Sequence, residues 1–557
     1  MKPPLPNSAS SRLFLAAGLA LLTLACLTGC GRPPSRVETG DRDQVLHWGN
    51  LSEPQDIDPH TVSGVSEQHI IDALFEGLVM GDPKDLHPVP GVAEKWDISD
   101  DGTVYTFHLR TNAVWSNGER VTAEDFVRSY KRMLAPTLAS EYAYMLFVAK
   151  NAEDYNKGVL KDFTKVGFKA LDAGTLRVEL NAPTPYFLSI LSHYSWYPVP
   201  VSTIEKYGPT DERGNTWTKP GHFVGNGPFN LVSWKINSVL LVRKSPTYWD
   251  AARVKLKEIR YYAIESLDAE ERGFRAGQLH LTYDVPLPKI DHYRRDQPDL
   301  IFLAPYLGTY FYRINTTRPV LKDKRVRRAL SMAVDREGIA RQIMRAGEKG
   351  AYTLTPPDTA GYTSRAKIPY DVAGARKLLA EAGFPGGKGF PDFEILFNTL
   401  ESHKAIAEAV QEMWKKNLGV NVRLANQEWK VYIDSQREMN YDFARFGWIG
   451  DYVDPNSFLD MFLTGGGNNQ TGWSNPDYDH WVREAGKTGD MQKRYECFQK
   501  AEAILMEESP FIPIYQYTRS YLLRPSVRGW YPNLLDVHPL KYVYLEPPPG
   551  AGAATAH

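Results

Sequence analysis

The sequence predicts a mixed α/β protein of two or three domains, and three observations lead there. The chain has 557 residues, 43% hydrophobic and 24% charged with 43 Gly and 39 Pro, a globular composition too long for a single core. Strand-like and helix-like stretches interleave along its whole length. No internal repeat or sustained heptad period interrupts that pattern.

Residues 1–29 fall outside the fold. Lys2 and Arg12 precede an apolar run from Leu13 to Leu27, about 15 residues, too short to span a bilayer comfortably and right for a secretory leader. The run ends in Leu27, Thr28, Gly29 and Cys30, the pattern of a bacterial lipoprotein signal, so Cys30 is expected to be the first mature residue and to carry the lipid. The alternative is a plain leader with an incidental cysteine. Residues 30–43, small, polar and Pro-bearing, read as a flexible tether, and residues 546–557 as a disordered tail. Without Lys2 and Arg12, the 65 basic residues set against 66 acidic ones leave a net charge of −3. That balance excludes a nucleic-acid footprint. Of three cysteines only Cys30 and Cys497 survive cleavage, and lipid on Cys30 excludes an intrachain disulfide or a cysteine metal site.

Two-residue alternation predicts strands at Val104 to Leu109 and around Leu176, Val178 and Leu180. Thr122 is placed to cap a helix through Leu134 with Phe126, Tyr130, Met133 and Leu134 on one face, and Asp371 to cap another that stops at Gly383. A longer helix, 402–418, ends at Gly419 and leads into the strand-like VNVRL. The turn-rich YPVPVS at 197–202 and the aromatic strand at 303–315 are the expected domain junctions.

Near-miss motifs argue against catalysis. Ser364 and Lys367 give S-x-x-K and Lys487 to Gly489 give K-T-G, as in acyl-enzyme formers, yet Ser364 follows a turn and precedes Pro369 instead of heading a helix. Gly383 to Lys388 lacks the first glycine of a phosphate loop and is followed by Gly389 where Ser or Thr must hold magnesium. The 13 histidines are scattered, with no H-E-x-x-H. The positive signal is aromatic: 13 Trp, 31 Tyr and 23 Phe, many beside polar groups in loop-like positions, which suits a broad binding cleft. Within Tyr441 to Asp454, YDFARFGWIGDYVD, one arginine and several carboxylates sit in a run that otherwise reads as buried strand. Those charges need a partner in the protein or in a ligand.

The order of motifs carries a resemblance. SEPQDIDPH (52–60), LFEGLV (74–79), PGVAEKWDISDDGTVYTFHLR (90–110), AVWSNGERVTAEDFV (113–127) and GNGPFNL (225–231) are followed by RVRRALSMAVDRE (325–337), ARKLLAEAGF (375–384), WKKNLGVNV (414–422) and NQEWK (426–430). Over residues 45–545 the chain resembles the oligopeptide-binding branch of the peptide/nickel-binding solute-binding proteins of ABC importers. The resemblance implies a hinge-linked, two-lobed periplasmic-binding-protein fold of type II with an extra inserted domain. Domain I would comprise 44–75, 201–307 and 519–545, domain II the inserted 76–200, and domain III 308–518. It further implies a non-enzymatic, monomeric binder without cofactor or metal, working at an extracytoplasmic membrane face: periplasmic in a two-membrane cell, the outer surface in a single-membrane one. Its partners would be oligopeptides, the permease and ATPase subunits of the importer, and the membrane through Cys30.

Carried over residue by residue, Asp451 matches the aspartate that meets the peptide α-ammonium. Arg445 matches the arginine for a tripeptide carboxylate, and His403 the histidine serving a slightly longer peptide. Tyr142, Tyr283, Tyr306, Trp429 and Trp448 match cleft aromatics, and Val65 a backbone contact. The chain departs from close relatives at Met344 and Gln436, where they carry a lysine and an arginine, and at Gly308 and Ile449, where they carry a cysteine pair. The alternatives are a same-fold binder of murein peptide, haem, a nickel chelate or an oligosaccharide, and a cell-surface hydrolase of peptides or wall fragments.

Overall fold

The computed structural model describes residues 33–546, so the leader, Cys30 and the chain from residue 547 on lie outside the described residues. The alternating segments become strands Val104–Leu109 and Thr175–Glu179, which pair antiparallel and turn Tyr105, Phe107, Leu109, Leu176 and Val178 inward. With Ala93–Ile98 and Phe168–Asp172 they form a four-stranded sheet. Thr122 caps the helix Ala123–Met133 through a capping box with Asp125, and the four apolar residues assigned to one face are all buried against that sheet's side of the core.

A second four-stranded sheet runs Val45–Gly49, Glu258–Tyr262, Val239–Lys244 and Phe229–Lys235 in spatial order. The third has six strands: Lys349–Gly350, Phe511–Leu522, Ile301–Ile314, Phe443–Ile449, Phe393–Asn398 and Val422–Gln427. Its parallel pair, Phe393–Asn398 and Val422–Gln427, is joined by the helix Glu401–Leu418, which ends at Gly419 with φ of 72°. Asp371 accepts from the amide of Gly374 to start the helix Val372–Glu381. These starts and stops lie within a residue or two of where the caps in the sequence put them.

The long strands Ile301–Ile314 and Phe511–Leu522 hold the two lobes together. Residues 301–305 pair with 518–522 and residues 309–313 with 511–516, and the register shifts between Pro305 and Thr309. Proline has no amide proton for the ladder, so the break falls where pairing is weakest.

One expectation is corrected. Residues 36–43, read as part of a flexible tether, form the helix Arg36–Asp43. Ser35 Oγ accepts from the amide of Glu38 at 3.2 Å and the Glu38 carboxylate accepts from the amide of Ser35 at 2.7 Å. Val37 and Asp41 are buried, and Asp41 lies 3.2 Å from His280 Nε2. Polar composition suggested a linker, but the S-x-x-E spacing at Ser35 and Glu38 is a helix start that outweighs it. Among the described residues no helix is long and apolar enough to cross a membrane.

Candidate functional site

Between the lobes lies a deep, partly open cavity of about 200 Å³, many times the ~10–15 Å³ that a single water needs. Val65, Tyr142, Tyr283, Tyr306, His403, Trp429, Arg445, Trp448 and Asp451 all line it, although they come from segments hundreds of residues apart. The sequence therefore located the walls of one chamber.

Asp451 follows the strand Phe443–Ile449, and Ser457 Oγ fixes it by accepting from its amide at 2.7 Å. Tyr142 OH donates to Oδ1 at 3.3 Å and Tyr144 OH to Oδ2 at 3.5 Å. His193 Nε2 lies 3.4 Å from Oδ1. The amide of Ser195 donates to His193 Nδ1, so the ring's proton sits on Nε2, facing the carboxylate. Burial holds His193 down to about 3, so the imidazole is neutral at pH 7. Among the described residues Asp451 thus meets three neutral donors and no cation. Burial raises its pKa to about 8, against the tyrosine hydrogen bonds that lower it.

Arg445 is the complementary case six residues earlier. Its guanidinium donates to Tyr517 OH at 2.9 Å and to Asn398 Oδ1 at 3.5 Å, lies 5.0 Å from the Tyr310 ring centre, and leaves Nε without a partner. Among the described residues no carboxylate lies within ion-pair distance of it. His403, near the start of the helix Glu401–Leu418, is buried 5.6 Å from the Tyr310 ring with Nδ1 unpartnered. Burial first, then the neighbouring Arg445 charge, drives its pKa well below the usual histidine range. It is a neutral hydrogen-bonding group, not a second cation.

The aromatics frame these charges. Trp448 donates Nε1 to Ser457 O at 2.5 Å, with its ring 6.3 Å from Tyr142. Trp429 Nε1 reaches Glu67 Oε1 at 3.4 Å across the lobes. Tyr283 and Tyr306 lie on either side of Arg519, which is tied to Asp536 by an ion pair of 2.5 Å. Val65 begins the helix Val65–Leu74 after Gly64, where no side chain caps the first turn and the backbone approaches the cavity.

Other charges of the stretch are structural. Asp454 forms a bidentate pair with Arg494 at 2.6 and 2.7 Å, both buried, and Asp442 pairs with Arg318 at 3.0 Å. Gly308 and Ile449 are register partners, and a Cβ on Gly308 would come within 2.5 Å of Ile449 Cδ1. Ser364, of the S-x-x-K motif, is buried away from the cavity and donates Oγ to Ala366 O at 3.2 Å, while Lys487 pairs with Glu484.

Sequence reasoning missed Tyr144, His193, Asp284 and Glu348 among the lining or supporting groups. Glu348, pushed up to about 7 by burial, and Asp284, raised by burial and accepting from Ser520 Oγ at 2.8 Å, also line the chamber. Tyr144 was open to discovery, because EYAYML places it two residues from Tyr142. Asp284 was open in the same way, directly after Tyr283, whereas His193 and Glu348 have no local signal.

A two-lobed α/β chain that encloses a chamber lined by unpaired charges and aromatics is a solute-binding protein. The bacterial extracellular solute-binding proteins, family 5 middle, match residues 87–470, and the chain belongs to this family. It is 38% identical over 554 residues to the periplasmic oligopeptide-binding protein OppA of Salmonella typhimurium, covering 97% of this chain and 98% of that one. The Haemophilus influenzae OppA complex with RPPGFSPFR superposes with a TM-score of 0.84 at 33% identity, covering 90% of this chain and 99% of that one. The Escherichia coli murein tripeptide binding protein MppA gives 0.85 at 36% identity, covering 90% and 98%. Its unliganded open form, at the same identity and covering 90% and 97%, gives only 0.61. The present structure thus superposes better on the Haemophilus influenzae peptide complex than on that open form.

Proposed function

We propose that this protein captures oligopeptides in an extended conformation between its lobes and delivers them to the permease and ATPase subunits of an ABC importer. The observation that carries the reading is a complementary pair of unanswered ionisable groups, six residues apart along one wall of the chamber: among the described residues the Asp451 carboxyl meets no cation and the Arg445 guanidinium no anion. Six residues of chain span at most ~20 Å and a tripeptide about 11 Å, so the long Arg445 side chain has to reach back toward Asp451 to meet a tripeptide's carboxylate. Asp451 receives the α-ammonium and Arg445 the carboxylate of a tripeptide, with neutral His403 adding a hydrogen bond. Each charge-assisted contact contributes about 1.5–3 kcal/mol.

Affinity comes mainly from the ends and backbone of the ligand, and the roomy aromatic walls tolerate many side chains. The monomer closes by bending at the irregular pairing near Pro305, with domain I at 44–75, 201–307 and 519–545, domain II at 76–200 and domain III at 308–518. A lipid on Cys30 holds it at the extracytoplasmic membrane face. The similarity to named binding proteins supports a non-enzymatic role.

Calorimetry with a tripeptide and its N-acetylated form tests the ligand and the Asp451 role together. The free tripeptide is expected to bind at least tenfold more tightly. In the empty site Asp451 is mostly protonated at pH 7, because its pKa is about 8. Capture of an ammonium therefore releases close to one proton, seen as a dependence of the heat on buffer ionisation enthalpy. Equal affinities for the two peptides would sink the assignment.

A further inference from the structure

One buried cation of the second lobe has no part in the contacts above. Arg313, on the strand Ile301–Ile314, is 1% exposed and makes no ion pair within 4 Å among the described residues. Its NH1 donates to Gln436 Oε1 at 2.8 Å and Gln470 Oε1 at 2.5 Å, its NH2 donates to Asn468 O at 2.8 Å, and the guanidinium lies 3.4 Å from the Phe446 ring centre. Every partner is neutral. The carboxylate that acts on it electrostatically, Glu141, is already engaged by Arg437 and Arg213. Burial lowers Arg313 to about 10, which leaves it charged at pH 7.

Gln436, on the helix Trp429–Arg437, lines the peptide chamber and is 1% exposed. Its Nε2 has no hydrogen-bond partner. The amide orientation is fixed, because the guanidinium has only protons to offer and must face Oε1. Arg313 therefore turns the NH2 of Gln436 to the opposite side and polarises it. The result is a buried donor, backed by a full positive charge, with no acceptor among the described residues. Phe446 and Asn468, which touch Arg313, line the same chamber. Tyr144 ties Asn468 to the Asp451 end, since its hydroxyl bonds with both residues.

We propose that Gln436, held and polarised by Arg313, forms a subsite for an acidic side chain of the bound peptide near its N-terminal end. The subsite rests on the peptide reading above and adds a preference to it: peptides carrying Glu or Asp early in the chain bind more tightly than their Gln or Asn isosteres. Gln436 is the contact, and Arg313 is a positioning residue that acts through it.

The test compares Glu-Ala-Ala, Ala-Glu-Ala and Ala-Ala-Glu with the matching Gln peptides and with Ala-Ala-Ala, by calorimetry on the full chain and on its Gln436→Met and Arg313→Met variants. The expected result is a preference of tenfold or more for Glu over Gln at position one or two. Gln436→Met should remove that preference, so that each Glu peptide binds the variant no more tightly than its Gln isostere, whatever the variant's affinity for Ala-Ala-Ala. Should Arg313→Met fold poorly, Gln436→Met alone decides the question. Three outcomes overturn the proposal: no Glu preference in the unaltered protein, a preference confined to position three, or a Gln436→Met variant that weakens all peptides equally, which would mean the acceptor is ligand backbone. Failure of every peptide to bind, Ala-Ala-Ala included, would instead overturn the peptide reading itself.

Discussion

Asp451 and Asp454 lie three residues apart, with both carboxyl side chains shielded from solvent, and have opposite fates. Asp454 meets the Arg494 guanidinium in two parallel hydrogen bonds, so its charge is answered inside the protein. Asp451 meets only neutral hydroxyls and a neutral imidazole, and its charge awaits something from outside. A buried ion that is fully paired belongs to the fold, and one left deliberately short of a partner belongs to the ligand. The same contrast separates Arg494 from Arg445.

Breaking the completed pair should have the largest effect. Arg494→Met leaves Asp454 buried and alone and is expected to cost about 3–5 kcal/mol, read as a lower denaturant midpoint. Tripeptide affinity of the protein that remains folded should stay within about twofold. An affinity loss as large as the stability loss would erase the distinction.

Asp451→Asn should do the reverse. Tripeptide binding is expected to weaken by about 10- to 100-fold, while the empty protein becomes no less stable. The pH dependence sharpens this. The native carboxyl holds its proton up to about pH 8, whereas the unfolded one releases it near pH 4. Between those values the native state binds more protons, so unliganded stability falls as pH rises, with a slope of up to ~1.4 kcal/mol per pH unit from this group. Denaturation at pH 5 and pH 8 should show that loss in the natural protein and a smaller one in Asp451→Asn.

Arg445→Met is expected to weaken tripeptides about tenfold or more and to affect longer peptides less, because their carboxylates lie beyond it. The smallest effect belongs to the rim. Glu141 pairs with Arg437 across the lobes and accepts from Ser63 Oγ at 2.9 Å, so the contact stabilises the closed form itself. Glu141→Gln should raise all dissociation constants by the same few-fold factor, about 0.2–1 kcal/mol, without changing preferences among ligands.

Much of this contrast was legible in the sequence. Thr122, Asp371 and Gly419 mark helix ends because capping is local, and the alternation at Val104 to Leu109 fixes which side chains turn inward. Asp451, Arg445 and His403 were reached through motif order, since residue type alone would have made Asp451 a solvated loop acid, His403 a surface histidine and Arg445 a structural ion-pair partner. His193 and the Arg313–Gln436 pair were out of reach. His193 meets Asp451 from 258 positions away, and Arg313 finds Gln436 123 residues on, contacts that only the folded lobes create. The helix Arg36–Asp43 was missed for another reason, because composition was weighed above its capping box.

The pairing of Gly308 with Ile449 bears on how this wall of the chamber responds to redox conditions. In relatives a cysteine bridge is expected there, pinning two strands whose register sets the position of Asp451. Here the isoleucine side chain fills the space and the ladder alone holds the register, and among the described residues the cysteine is a lone free thiol, Cys497. The cleft should keep its shape and its affinity alike in dithiothreitol and in an oxidising buffer, independent of any thiol-oxidising machinery outside the cytoplasm.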